Sequence, residues 1–482
     1  MQLTMNKSIL RLFKINIINS IFIFTICIFR GDSLINFIAR VILIILYFIY
    51  LSRKKEDIIV NYQISFMILA ATIVDATYNS SLISAPFWIK NITDWISLIL
   101  LFKIILNKKV TKKMASDNFI KLIVLILIFS FLLYIIYNNS LINYLDVMRR
   151  MFRFIPVYIY FAYYEMKDLK ETFKFYFIIN IILFIIQSVL NVNIDFRNGM
   201  FGRISGAAFY YMLVIYAMII IVKYFNNKGS ILEIVFSLAF LVASLVLQDS
   251  KFYLFLFIIY LTIIFLIYKN DIIKKIMFVF IISCLLILSI NSIKIISPKF
   301  AVFFQNKNLV NVAIEYMNTN TNDSFKMNRF EAKEFVFNNV NTEYYLKILG
   351  KGIGTASGPE NNFYNIKETK YSVPKTNIYI SYGELGYALS STNIIKIESG
   401  YLGLVIFILI IVIFLRKSIK CIRSKMISAQ IVGLSFGCIL VSGIYSFYYT
   451  AQLFTRETNY ILCIIIGLLR FYELKQLKSN EV

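Results

Sequence analysis

Ile120-Lys-Leu-Ile-Val-Leu-Ile-Leu-Ile-Phe-Ser-Phe-Leu-Leu-Tyr-Ile-Ile-Tyr137 carries no charge after Lys121 and is apolar on every side. A run of this length reaches about 27 Å as a helix, close to the roughly 30 Å hydrocarbon core of a bilayer. Its apolar residues are continuous and do not alternate, which excludes a strand of a spanning β-barrel. Runs of about 17–22 apolar residues recur along almost the whole chain, so the expected solvent is lipid and not water. Composition agrees: 59% of residues are hydrophobic, 16% are charged, and the mean hydropathy is +0.73.

The runs predict spans at Ile15–Phe29, Leu34–Leu51, Ile58–Ala76, Ile89–Leu106, Ile120–Tyr137, Phe154–Tyr164 and Phe175–Leu190. Further spans are predicted at Ala207–Ile221, Ile231–Leu247, Phe252–Tyr268, Ile276–Ile290, Tyr401–Leu415, Ile427–Ser446 and Tyr460–Leu469. The expectation is an all-α integral membrane protein with about 12–14 transmembrane helices. The N-terminal basic residues Lys7, Arg11 and Lys14 precede an apolar run that lacks a small-residue cleavage pattern, so the first span is expected to be retained.

A formal charge of +24 would point to nucleic acid in a soluble chain, but here the basic residues cluster between apolar runs. Arg53-Lys54-Lys55, Lys108 to Lys113, Lys167 to Lys174, Lys269 to Lys275 and Arg416 to Lys425 fall on alternate sides. These clusters mark the cytoplasmic side and place both termini there, with no nucleic-acid partner implied. Residues 1–290 then hold about eleven helices, 291–400 form one large extracytoplasmic loop, 401–472 hold about three helices, and 473–482 form a cytoplasmic tail. No histidine is present and the five cysteines lack metal-ligand spacing, so neither a metal nor another cofactor is expected.

Several basic residues fall on the outer side, where topology gives no reason for them: Arg149, Arg150, Arg153, Arg197, Arg203, Lys251 and Arg329. An outward set of guanidiniums suits a phosphate or diphosphate, because Arg stays ionised and offers a planar fork of donors. The competing reading has each Arg reaching lipid headgroups or pairing with an acid such as Asp146 or Asp195. Asp75 and Asp94, near the outer ends of adjacent spans, are either functional or solvated at the interface. Gly350-x-Gly352-x-Gly354 lacks the strand, helix and Lys-Ser/Thr context of a nucleotide loop and reads as a turn.

Three passages resemble, in order, those of the O-antigen polymerase and ligase superfamily. Arg197-Asn-Gly-Met-Phe-Gly-Arg203-Ile-Ser-Gly206 looks like the family's outer-loop Arg and Gly passage, and Gln248-Asp249-Ser250-Lys251 is similar to its Ser-Arg position. Asn328-Arg329-Phe330, Leu349-Gly350 to Gly354 and Glu398-Ser-Gly400-Tyr-Leu-Gly403 resemble the large-loop pattern of an Arg, a Gly-x-Gly turn and an acid before the next span. The ligase branch carries a histidine in that loop; this chain has none, which favours the polymerase branch.

The resemblance implies a bacterial inner-membrane enzyme that joins repeat units carried on polyprenyl diphosphate into O-antigen or capsule, working beside membrane lipids, a flippase and a chain-length regulator. An acceptor hydroxyl attacks the anomeric carbon and the diphosphate leaves, without a metal. Arg203, Lys251 and Arg329 are the candidates for stabilising the leaving group, and Glu398 is the leading candidate base, with Glu384 and Asp249 weaker. Arg153, Arg197, Asp249 and Tyr382 are candidate substrate-binding residues, with loop tyrosines such as Tyr371 and Tyr379 able to stack on sugars. The competing reading of Glu398 is an ion pair with Lys396 or Arg329, or a polar residue that marks the edge of the membrane.

Other classes fit part of the pattern. A lipid-linked oligosaccharide flippase shares the many spans but not the single asymmetric loop or the lack of a repeat. A transferase using polyprenyl phosphate sugars would place paired acids in the first outer loop, where only Asp32 stands. A purely structural membrane protein needs neither the outward cations nor the long loop.

Overall fold

A computed structural model of the chain describes residues 2–29, 33–77, 87–137, 141–166, 169–190, 192, 197–201, 206–247, 272–296, 329–356, 377–382, 386–449 and 455–480. The described residues are mostly helical, with no strand among them. Eighteen α-helices run in chain order among the described residues. They are α1 (Gln2–Ile28), α2 (Leu34–Ser52), α3 (Glu56–Thr77), α4 (Ile92–Leu106), α5 (Lys108–Ala115), α6 (Asn118–Tyr137), α7 (Leu141–Phe152), α8 (Ile155–Tyr163) and α9 (Leu169–Val189). The rest are α10 (Gly206–Phe225), α11 (Ile231–Leu247), α12 (Ile272–Ile296), α13 (Arg329–Val340), α14 (Tyr344–Leu349), α15 (Asn377–Tyr382), α16 (Ser391–Ile422), α17 (Ile427–Tyr449) and α18 (Arg456–Asn480). Eight of them, α1–α3, α6, α9, α10, α16 and α17, are long and apolar enough to cross a membrane. By length and composition this is a multi-pass membrane protein.

Three expected spans take a different form. Ile89–Leu106 begins as a 3-10 turn, Phe87–Asn91, before α4 starts at Ile92. The span at Phe154–Tyr164 is the nine-residue α8, about 14 Å long, too short to cross a bilayer alone. The span at Tyr401–Leu415 is the membrane half of the 32-residue α16, which begins at Ser391. The expected span Phe252–Tyr268 lies outside the described residues.

The helices fall into two compact units. The first comprises residues 1–121, 149–209 and 456–474. In α4, Ile92, Ile96, Leu100 and Ile104 recur every four residues and are buried, with Thr93, Asp94 and Ser97 beside them. Trp95, Phe102 and Leu106 point the other way and are exposed, as a helix facing protein on one side and lipid on the other requires. Every residue of α8 from Pro156 to Ala162 is buried. The close approach of α18 to α8 rests on Gly467, where a Cβ would stand 2.7 Å from the Phe161 Cβ and 2.8 Å from the Tyr158 carbonyl oxygen. Polar side chains tie neighbouring spans where lipid offers no partners: Asn19 Nδ2 donates to Tyr62 O and Ser65 Oγ, while Tyr47 donates to Asn19 Oδ1 at 2.7 Å.

The second unit comprises residues 122–148, 210–455 and 475–482. In it α16 packs along α17, and α11 along α12. Ser418 in the last turns of α16 donates to Gly433 O of α17 at 2.7 Å. The described part of the expected loop has its own small core, built from Ala332, Val336, Phe337 and Val340 of α13, Ala356, Ala388 and Leu389, and Ile394 and Ile397 of α16. A 32-residue helix reaches about 48 Å, so α16 is long enough to cross a bilayer and still supply this core with its first turns.

One buried acid in the first unit joins three helices. Asp117 caps the start of α6 by accepting the Phe119 N–H on Oδ1, and its Oδ2 accepts the hydroxyls of Tyr158 and Tyr163, each at 2.7 Å. Arg470 of α18 lies 3.6 Å from the same oxygen. Burial alone would raise this carboxyl, but the two tyrosines, the Phe119 N–H and the Arg470 charge outweigh it and hold the group below its usual value of 3.8. A depressed carboxyl contributes stability above its unfolded value and loses it as pH falls through the lower folded value. Asp117→Asn is therefore expected to lower the melting temperature of the detergent-solubilised protein at pH 7. The gap to the wild type should close as the pH is taken below about 4.

Candidate functional site

The beginnings of three helices and the end of a fourth meet at Asp94 in the first unit. Asp94 is the third residue of α4, where the unpaired N–H groups of the first turn favour a negative charge. Arg149 comes from the end of α7, and Arg153 follows one turn later at the bend into α8, its N–H donating to Arg149 O at 3.2 Å. Arg456 is the first residue of α18. Arg149 Nη1 stands 2.9 Å from Asp94 Oδ2, Arg153 Nη1 3.5 Å from Oδ1, and Arg456 Nε 3.9 Å from Oδ1. Arg456 Nη2 also donates to Asn91 Oδ1 at 2.8 Å, and the Arg153 guanidinium lies over the Phe154 ring.

A second layer holds the first in place. Tyr460, one turn after Arg456, shares a 2.9 Å hydrogen bond with Ser97, which lies nearly one turn after Asp94. Gln63 of α3 donates to both of these hydroxyls. The Thr93 hydroxyl donates to Lys90 O at 2.6 Å, and Phe154 meets the Tyr460 ring edge-on. The α3, α4 and α18 helices are thus joined by one buried hydrogen-bonded set of side chains.

The cluster places three guanidiniums around one carboxylate. Arg153, Arg456 and Asp94 are almost fully enclosed, with side-chain exposures of 0%, 3% and 5%, whereas Arg149 is 32% exposed. Positive helix ends at α4, α8 and α18 add to the same sign. This arrangement can attract and hold an anion entering past Arg149. It offers no set of ligands for a metal, and no group of three or more His, Cys, Asp or Glu suited to a metal occurs among the described residues.

The residues singled out from sequence scatter. Arg153 belongs to the Asp94 cluster. Arg197 is buried and its Nε donates to Val192 O at 2.6 Å. Tyr382, at the end of α15, packs edge-on against Phe335 at the margin of the loop core. Arg203, Lys251 and Asp249 lie outside the described residues, as do Glu384 and Tyr371, and Arg329 is described only as the first backbone position of α13. Arg456 escaped the sequence reading, although Thr455-Arg456-Glu457-Thr458-Asn459 is a polar run opening an apolar helix, and all five residues are buried.

Glu398 is also buried, but in the second unit and for a local reason. Gly400 has φ +63° and breaks α16. A break frees carbonyls one turn earlier, and the Gly350–Gly354 loop supplies donors to them. Lys351 N–H donates to Ile397 O at 2.9 Å and Gly352 N–H to Glu398 O at 2.8 Å. The Glu398 carboxylate then accepts the Ala356 N–H at 3.0 Å. A Cβ on Gly400 would overlap the Ile348 carbonyl, and one on Gly350 the Glu398 backbone. Lys396, the pairing partner considered for Glu398, instead meets Glu334 at 3.0 Å.

Comparison of the chain with family models, with curated proteins and with solved structures returns no match.

Two substitutions at Glu398 separate its roles. Glu398→Gln keeps an oxygen for the Ala356 N–H and should leave the loop core as resistant to limited proteolysis as in the wild type. Glu398→Ala strands that buried donor, which costs about 1–3 kcal/mol, and should expose the 329–356 segment to protease at a lower temperature.

Proposed function

We propose that the chain is a membrane glycosyltransferase that polymerises polyprenyl-diphosphate-linked oligosaccharide repeat units on the outer face of a bacterial cytoplasmic membrane. The observation that carries this reading is the cluster of Arg149, Arg153 and Arg456 on Asp94, enclosed except at the part-exposed Arg149. A diphosphate leaving group develops negative charge as the glycosidic bond to it breaks. Fixed guanidiniums in a place shielded from water stabilise such charge without reorganising. The sequence resemblance supplies the reaction class, and the separately folded loop core between α13 and α16 supports a protein with a built extramembrane portion, which a simple bundle of spans lacks.

In this reading the basic clusters between spans face the cytoplasm, both termini lie inside, and the 291–400 segment and the Asp94 end of α4 face outward. The chain then has twelve to fourteen spans, of which eight have the length and apolarity of independent spans among the described residues. Arg203, Lys251 and Arg329 remain the leaving-group residues implied by the resemblance; Arg149, Arg153 and Arg456 are proposed, separately, as a diphosphate-binding cluster within the first unit. Glu398 is the proton acceptor that the resemblance implies.

The test is the surface glycan profile of cells deleted for this gene and complemented at equal protein level. Wild type should restore long chains. Arg456→Ala, Arg153→Ala, Arg203→Ala, Lys251→Ala and Arg329→Ala should leave surfaces capped by single repeat units. Accumulation of unpolymerised units on the cytoplasmic side of the deletion strain would replace this reading with that of a flippase.

A further inference from the structure

The geometry points to Asp94 as an internal counter-ion that occupies the guanidinium cluster in the absence of substrate and competes with the entering anion for it. The inference rests on the reading of this cluster as an anion site and concerns how tightly that site is held shut. Three arginines from separate segments converge on one carboxylate with Nη1 or Nε atoms 2.9–3.9 Å from its oxygens. Only the Arg149 contact has the length of a strong charge-assisted hydrogen bond; the other two are longer. A carboxylate of two oxygens cannot give three guanidinium forks their preferred paired geometry.

A diphosphate presents more acceptor oxygens and more negative charge than one carboxylate, so it can serve all three arginines at once. Its approach must also overcome repulsion from Asp94, which stays buried beside it. Lys90 and Glu457, buried and adjacent in the chain to Asn91 and Arg456, carry opposite charges. Asp94 thus has two effects of opposite sign. It helps to hold together three guanidiniums, two of them enclosed and one part-exposed, and it weakens the anion's hold so that a diphosphate product can leave.

Two substitutions of opposite charge test this. Asp94→Asn removes the competitor, and Asn91→Asp adds a second carboxylate on Arg456, whose Nη2 already donates to Asn91 Oδ1 at 2.8 Å. The second change places a carboxylate where Arg456 already donates to an amide oxygen and is expected to fold as well as the wild type. Inorganic pyrophosphate is titrated calorimetrically into the purified full-length protein in detergent at constant pH and ionic strength. Asp94→Asn should bind on the order of tenfold more tightly than the wild type, and Asn91→Asp on the order of tenfold more weakly. If Asp94→Asn does not fold, weaker binding by Asn91→Asp alone supports the proposal, and unchanged or tighter binding overturns it. Weaker binding by a folded Asp94→Asn overturns it too, making Asp94 solely a positioning residue while leaving the anion site standing. Absence of pyrophosphate binding in the wild type and in both variants removes the anion site itself.

Discussion

A single carboxylate, Asp94, sits in the first unit where α4, α8 and α18 begin and α7 ends, and it lies against the enclosed guanidiniums of Arg153 and Arg456 and the part-exposed one of Arg149. A charge enclosed by protein and lipid is tolerable only beside an opposite charge and well-placed dipoles. Asp94 supplies the charge, and the converging helices dictate where each arginine is held. The consequences extend along the chain. Arg456 fixes the start of α18, Tyr460 fixes the next turn through Ser97 and Gln63, and Gly467 lets the same helix lie close against α8. Fourteen residues on from Arg456, and about 21 Å along the axis, Arg470 meets Asp117. Helix α18 is therefore attached to its unit by an arginine–aspartate contact near each end of its apolar stretch.

Much of the helical framework was legible in the amino-acid order because lipid demands a simple signal. Runs such as Leu122–Tyr137 have one plausible state in a bilayer, and eight described helices have that character. What could not be read is where a helix stops short or continues past its apolar run. The residues of α8 are as apolar as a span, yet the helix ends after nine residues. Nothing in Tyr401–Leu415 shows that its helix starts ten residues earlier and bends at Gly400, because that bend is stabilised by the distant Gly350–Gly354 loop.

The site was legible in its parts and not in its assembly. Arginines before the sixth expected span were conspicuous against the pattern of basic clusters, and Asp94 stood out as an acid within an apolar run. Their meeting was not visible, since Asn91 and Arg456 are separated by 365 positions and no local periodicity joins them. Arg456 carries the clearest lesson. Its polar neighbours Thr455 to Asn459 look like an ordinary solvated helix start, whereas all are buried, and only tertiary packing distinguishes the two.

The broken turn of α16 bears on how such a protein can be divided. Lys351 and Gly352 complete hydrogen bonds that belong to the helix's own ladder, so the 348–356 segment is spliced into a helix that is long and apolar enough to continue across a membrane. A graft that exchanged this segment for another while cutting at the membrane boundary would sever the splice and leave carbonyls of Ile397 and Glu398 without donors. The natural unit of exchange is therefore larger than the loop: it includes Ile348 to Ala356 together with the helix through Gly400, inherited or transplanted as one piece.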